Sequence, residues 1–249
     1  NADHPVMGGL CAMDEHFSLF EQLDVDVMEL SGNHNNDYGF EAYIRTLRLY
    51  QQAEIATIGG GETLRQARQP LIIEHHNNRI GLLACNWSGP DFALATDSQP
   101  GAAYCDLNWL QEIIPTLAEQ TDVLIVTVQY AEYNQHQPIE RQIYHFHLLA
   151  DLGADAVIGT QAHVPQTFEF YTTQDGRDVF IHYGLGNLFF DQQGWAETRF
   201  FMNQLYIYNG QLQSIELFPG IIENRARPRL MTPTERDELM SFMMEESDF

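Results

Sequence analysis

Apolar and polar positions fall along this chain in patterns that predict short strands alternating with helices, and hairpins towards the end. Residues 1–24 read as loop and a short helical pattern, with Phe17, Leu19, Phe20 and Leu23 on its apolar side. Residues 25–30 (VDVMEL) alternate as a strand does, and the polar, turn-rich residues 31–39 follow. Phe40, Tyr43, Ile44, Leu47 and Tyr50 recur at helical spacing. Residues 55–61 predict a short strand running into a glycine turn, and residues 71–73 and 79–84 a hairpin around Asn77-Asn78. Residues 86–105 read as loop. Asp106 is placed to cap a helix reaching Gln120, and Pro115 predicts that this helix kinks or ends early.

Residues 123–128 (VLIVTV) are almost continuously apolar, as in a strand covered on both faces. Pro138 opens a helix whose buried stripe is Ile139, Ile143, Phe146 and Leu149, and Gly153 closes it. A second buried strand covers residues 155–158. Hairpins follow at residues 167–183, around Gln174-Asp175-Gly176, and at 199–218, around Asn209-Gly210. Thr232-Pro233-Thr234-Glu235 is a capping box that starts a last helix. The whole reads as one α/β domain over residues 1–249, with mixed sheets and helices outside.

Composition narrows the choice of partner. The net charge is −23, and all twelve basic residues are arginines. This charge argues against a broad nucleic-acid or anionic-membrane surface, and a polyanionic ligand would need a metal ion or a local arginine cluster. The three cysteines, Cys11, Cys85 and Cys105, lack metal-site spacing and read as buried free thiols, with one bridge as the alternative. No apolar run is long enough to span a membrane, and no secretory leader is visible. The chain opens on Asn1, which reads as a processed or trimmed end.

Three apolar strands each run into a polar cluster. The first leads to Asn33 and His34, the second to Gln129 and Glu132, the third to Gln161 and His163. Ligands in α/β sheets collect beyond the carboxyl ends of strands, so the three ends predict one shared site. In the third cluster, Gly159 predicts a sharp backbone exit. Gln161 and His163, two apart, would face the same side of an extended segment. Other polar candidates have plainer readings. His182 reads as a packed core histidine, and Asn187 and Asp191 as turn formers or site members. Arg225, Arg227 and Arg229 are the densest basic run; they would grip phosphate or carboxylate by bidentate pairing, or meet the chain's own acidic face.

The stretches GNHNNDYG, QYAEY, GTQAH and GLGNLFFDQ, in this order, resemble the poly-γ-glutamate capsule biosynthesis (CapA) family, whose fold is similar to that of the calcineurin-like metallophosphoesterases. The resemblance implies a four-layer α/β/β/α sandwich of the metallophosphoesterase type. It places Asn33 on a metal-binding asparagine and His34 on the histidine that protonates the leaving group or steadies the transition state. Asp37 and Glu132 fall on the family's acidic positions, beside His34 as catalytic candidates. Gln129 and Gln161 fall where metal-binding histidines are expected, and His163 on a retained one. Asn187, Arg225, Arg227 and Arg229 remain candidates for holding substrate.

Two expected imidazoles are thus carboxamides, which are weak, hard ligands. The family's first metal-binding aspartate has no match. Either a preceding strand is missing from these residues, or the two-metal site is incomplete. The implied cofactor is a divalent ion, weakly held if at all, and magnesium, manganese or calcium rather than zinc. Two functions follow from the resemblance. One is a part in the synthesis or export of an anionic polymer such as poly-γ-glutamate, within an envelope synthesis complex. The other is hydrolysis of a phosphoester or γ-glutamyl amide bond by metal-activated water. The resemblance implies a cell-envelope or extracytoplasmic setting.

Overall fold

The computed structural model describes residues 9–132 and 134–247. The loop reading of residues 1–8, and Tyr133 of the QYAEY stretch, lie outside the described residues. In order the elements are α1 (Ser18–Gln22), β1 (Val27–Glu29), α2 (Phe40–Gln52), β2 (Ala56–Ile58), β3 (Gly60–Gly61), α3 (Leu64–Ala67), β4 (Leu71–His75), β5 (Asn78–Asn86) and β6 (Gly101–Ala102). Then come α4 (Leu107–Gln120), β7 (Val123–Gln129), α5 (Glu140–Leu152), β8 (Ala156–Thr160), β9 (Phe168–Thr172) and β10 (Asp178–His182). The chain ends with β11 (Arg199–Tyr208), β12 (Gln211–Glu223), β13 (Arg227–Leu230) and α6 (Pro233–Glu246).

These elements form two compact units, one of residues 1–71 and 82–106, the other of residues 72–81 and 107–249. In the first, β1 and β2 pair in parallel, with Val27 opposite Ala56. The helical spacing read from the sequence is α2, which buries Tyr43 and Tyr50. They form a cluster with Leu30 and Ile55, against which Phe17, Phe20 and Leu47 pack. The rings of Phe17 and Tyr50 are 5.5 Å apart, so the short N-terminal helix is held by aromatic burial rather than by its own length.

The second unit is built on a six-stranded sheet of order β4-β5-β7-β8-β10-β9. The latter part of β5 belongs to the first unit. β7 and β8 run parallel, with Val126 opposite Val157 and Gln129 opposite Thr160. Both strands are almost wholly buried, which is why their sequences are continuously apolar. Helix α4 does not end at Pro115. Leu110, Ile114 and Leu117 are buried on one face on either side of it, and that stripe carries the helix through the hydrogen bond the proline cannot make. α5 buries Gln142 and His145 along with Phe146 and Leu149, so its inner face is more polar than the apolar spacing implied.

One further reading is corrected. Cys85 and Cys105 are bonded to each other, with Cα atoms 5.1 Å apart, and Cys11 is exposed; neither arrangement is a buried free thiol. Of the arginine run, Arg227 and Arg229 lie in β13, which pairs antiparallel with β12, Glu223 opposite Arg227, and Arg225 stands in the turn before it. Pro228 is tolerated because β13 is the edge of its three-stranded sheet. The capping box forms as read: Glu235 N and the Thr232 hydroxyl, and Thr232 N and the Glu235 carboxylate, satisfy each other at the start of α6.

Candidate functional site

Asn33, His34 and Asp37 lie in the first unit, and the other site residues read from the sequence lie in the second. In the first, β1 ends in the turn of residues 31–39. Glu29 is its half-buried acid: Ser31 donates to it through both its backbone nitrogen (2.6 Å) and its hydroxyl. Burial pushes the Glu29 carboxyl above its ordinary value, against those two hydrogen bonds. Sequence reasoning passed over Glu29, although its position two after Val27 puts it on the apolar parity of the strand.

Asn33 and His34 are half-buried in this turn. His34 Nδ1 meets Asp37 Oδ2 at 2.7 Å, and the same oxygen accepts from Leu10 N at 3.0 Å. Asp37 is 1% exposed. A carboxylate only accepts, so His34 gives it the Nδ1 proton and keeps Nε2 as the nitrogen available for proton transfer. This fits Asp37 as the orienting partner of His34, and it is the arrangement an acid–base histidine requires.

In the second unit the parallel register of β7 and β8 puts Gln129 beside the residues that follow Thr160. Gln129 Nε2 donates to Gln161 Oε1 at 2.7 Å, and Gln161 Nε2 donates to Glu132 Oε1 at 3.2 Å. The three side chains form one directed chain, from buried Gln129 to exposed Glu132. The backbone differs from the sequence reading here. Gln161 has φ +77°, so the segment is not extended, and the sharp exit lies at Gln161 rather than at Gly159. Gly159 serves close approach instead: a Cβ there would fall 1.8 Å from Tyr183 O. A non-glycine residue held at positive φ is strained, and such strain gathers at sites that must aim a side chain.

His163 is fixed by Asn187. Its Nδ1 contacts Asn187 Oδ1 at 2.8 Å, while Asn187 Nδ2 donates to His163 O (3.0 Å), Gln192 Oε1 (3.0 Å) and Glu197 O (3.1 Å). The ring of Phe190 lies 5.1 Å from that of His163. Asn187 therefore orients His163 rather than standing open to a ligand. Behind Gln129, Tyr130 is buried, and its hydroxyl meets His145 Nδ1 at 3.0 Å. Burial, helped by the Arg141 charge, lowers the His145 imidazole to about 4, so it stays neutral.

The three arginines do not act alike. Arg229 donates from Nη1 and Nη2 to the two oxygens of Glu235 at 2.8 Å, and from Nε to Glu223 at 2.8 Å. It is committed within the molecule, tying β13 to the cap of α6. Arg225 and Arg227 are exposed.

A divalent metal, which the resemblance implies, can be tested against this donor set. Gln161 Oε1 already accepts from Gln129, and Gln161 Nε2 cannot ligate. His163 is the single imidazole. Among the described residues no group of three or more His, Cys, Asp or Glu side chains comes together as a metal-ligand set. Three carboxamides, Asn33, Gln129 and Gln161, with one imidazole do not fit the nitrogen- and carboxylate-rich shell that a catalytic transition metal needs.

Residues 8–192 match the family model described as "Bacterial capsule synthesis protein PGA_cap". The chain is 27% identical over 194 residues to the capsule biosynthesis protein CapA of Bacillus anthracis, covering 76% of this chain and 46% of that protein. It is 28% identical over 187 residues to the PGA biosynthesis protein CapA of Bacillus subtilis, covering 74% and 47%. The chain thus spans about half the length of these curated relatives. Among solved structures it is similar to a putative 5'-nucleotidase from Staphylococcus aureus, with TM-score 0.55, 14% identity, and coverage of 92% of this chain and 43% of that one. It is also similar to the 5'-nucleotidase precursor from Thermus thermophilus, with TM-score 0.53, 14% identity, and coverage of 92% and 44%. At that identity the likeness shows the fold alone. The fold is mixed α/β with a central multi-stranded sheet, of the metallophosphoesterase type that the motifs implied. With more than half of its residues matched, the chain belongs to the PGA_cap family of bacterial capsule synthesis proteins.

Proposed function

We propose that this chain serves the synthesis or export of poly-γ-glutamate, a capsule polymer, and that it handles the polymer rather than hydrolysing it with two metals. The observation that carries this reading is the bonded pair of carboxamides, Gln129 and Gln161, standing where the family resemblance implies metal-binding histidines, with Gln161 donating onward to the Glu132 carboxylate. Carboxamides offer both a donor and an acceptor, the groups that match a polyamide bearing carboxylates. The exposed Arg225 and Arg227 suit its negative charge, in a chain that otherwise repels it. The names of the CapA relatives support the polymer. A buried disulfide supports an oxidising setting, and so the cell envelope.

The second reading is hydrolysis of a phosphoester or γ-glutamyl amide. It draws on the His34–Asp37 pair, which is arranged for proton transfer. The donor set does not supply the metal that this reading needs. The deciding experiment measures poly-γ-glutamate binding by calorimetry in excess chelator, with metal content determined on the same sample. Binding that persists in chelator is the expected result. Tightly held transition metal together with phosphoester turnover would overturn the proposal.

A further inference from the structure

We infer that Asn36 is the positioning residue for the His34–Asp37 pair, and that it works by fastening their turn to the segment closed by the Cys85–Cys105 disulfide. The turn of residues 31–39 has little backbone support of its own. Asp37 N bonds His34 O at 3.3 Å, and Gly39 N bonds Asn36 O at 2.9 Å. Its fasteners are side chains. Asn36 is 1% exposed, and its Nδ2 donates to both Phe92 O and Pro100 O, each at 2.8 Å. Asn86, fully buried, donates from Nδ2 to Ser31 O at 2.6 Å, and its Oδ1 accepts from Ser88 N at 2.9 Å. One end of the turn is therefore held by Asn86, and the His34–Asp37 end by Asn36.

Both carbonyls that Asn36 uses lie between the two cysteines. That segment has little regular structure: a three-residue 3-10 turn (Asp91–Ala93) and the two residues of β6. Its shape is held by short bonds across it, such as Gln99 Nε2 to Leu94 O at 2.9 Å and Ala95 N to Ala102 O at 2.8 Å, by the pairing of β6 with β3, and by closure at its ends. Closure comes from Cys105 N bonding Asn86 O at 2.9 Å and from the disulfide, whose cysteines are both at most 1% exposed. A closed loop has far fewer open states than a free one. Gln99 Nε2, donating to Phe92 O at 3.2 Å, and Ala95 N, bonding Ala102 O at 2.8 Å, join the two sides of the segment, and the disulfide closes the loop that keeps Phe92 O and Pro100 O at the spacing one amide group can bridge. Asn36 is covalently next to Asp37, so losing the bridge frees the carboxylate that holds His34. The inference rests on the second, hydrolytic reading only in treating His34 as a working group.

The test is long-range proton–nitrogen spectroscopy of the chain labelled at histidine nitrogens. In the wild type, His34 should show one ring pattern, with the proton on Nδ1. Asn36→Ala, with the disulfide intact, should lose or average that pattern. Asn36→Asp, equal in size but without a donor, should do the same. His145 and His182, in the other unit, should keep their signals in both variants, which separates a lost position from a general loss of fold. A folded Asn36→Ala or Asn36→Asp variant with the His34 pattern unchanged would overturn the role of Asn36. A folded Cys85→Ala/Cys105→Ala variant with that pattern unchanged would overturn the role of the disulfide. If the double cysteine variant does not fold, wild type under graded dithiothreitol is measured instead. There the His34 pattern should fade before the signals of the other unit, and simultaneous loss counts against the coupling. The readout involves neither polymer nor metal, so its failure and that of the proposed function are separate results.

Discussion

Gln129 Nε2 donates to Gln161 Oε1 over 2.7 Å, and that bond engages one of the two lone pairs of the single atom through which Gln161 could ligate a metal. A histidine at either position could not make the same bond without giving up a nitrogen. The pair thus exchanges ligand capacity for a self-contained hydrogen-bond chain. Replacing both residues, Gln129→His and Gln161→His, should raise transition-metal retention from well below one equivalent to about one, after dialysis against a weak chelator and elemental analysis. Two equivalents already held by the wild type would show that the amides do not weaken the site.

Gly159 should tolerate no side chain. Alanine would put its Cβ 1.8 Å from Tyr183 O and 2.6 Å from the Tyr183 carbonyl carbon, both backbone atoms of the neighbouring chain segment. Gly159→Ala should cost about 3 kcal/mol or more in urea unfolding, at the upper end of overpacking effects. A loss below about 1 kcal/mol would mean that the β8 region yields more readily than close packing allows.

Stability should fall with acid through one buried imidazole in particular. His182 is fully buried, and its Nδ1 meets Asn203 Oδ1 at 3.1 Å. Burial lowers it from 6.5 to about 4, against the Asn203 bond. Below the ordinary value the unfolded chain takes up a proton and the folded one does not. Stability therefore declines as pH falls from about 6.5 towards 4 and levels off below, by up to about 3 kcal/mol. His145, lowered in the same direction by burial and the Arg141 charge, adds to the same slope. Urea midpoints at pH 7, 5.5 and 4.5 check the slope, and His182→Asn should flatten it.

The arginines should separate by role. Hydrogen bonds from Arg229, and then from Thr232, hold the Glu235 carboxyl well below its usual range, and the stability this contributes is lost as pH falls towards that depressed value. Arg229→Gln should lower the melting temperature by a few degrees, through the cap of α6. Arg225→Gln with Arg227→Gln should leave the melting temperature unchanged and weaken poly-γ-glutamate binding. The wild-type affinity should itself fall with salt. Binding that is insensitive to both salt and the double substitution would remove these two residues from polymer contact.

Much of this arrangement was legible in the chain. The apolar runs of β7 and β8 announce buried parallel strands, and their register brings Gln129 to Gln161 once the pairing is known. The capping box and the Asn209-Gly210 turn are local signals, so they survive into the structure unchanged. What stayed hidden depends on distant partners. Nothing near Asn187 in sequence says that it will hold His163. The bond between Cys85 and Cys105 depends on how residues 86–104 fold back. Two arginines and Pro228 argue against a strand, and β13 forms because β12 offers an edge. Gly159 was read as a turn when its constraint is the carbonyl of Tyr183, twenty-four residues on.

The tip of the long β11–β12 hairpin has a chemical consequence. Asn209-Gly210 is the dipeptide in which a backbone nitrogen most easily attacks the preceding side-chain amide, expelling ammonia and closing a cyclic imide that water opens to aspartate or isoaspartate. Here Gly210 N is the donor in a 2.8 Å bond to Asn78 Oδ1. The attacking atom is thus held on another partner while the hairpin is seated, and it is released only when the tip lifts away. Ageing at this position would accumulate in proportion to the time the tip spends open, so the charge added at Asn209 would record past local opening, readable long afterwards in a stored sample.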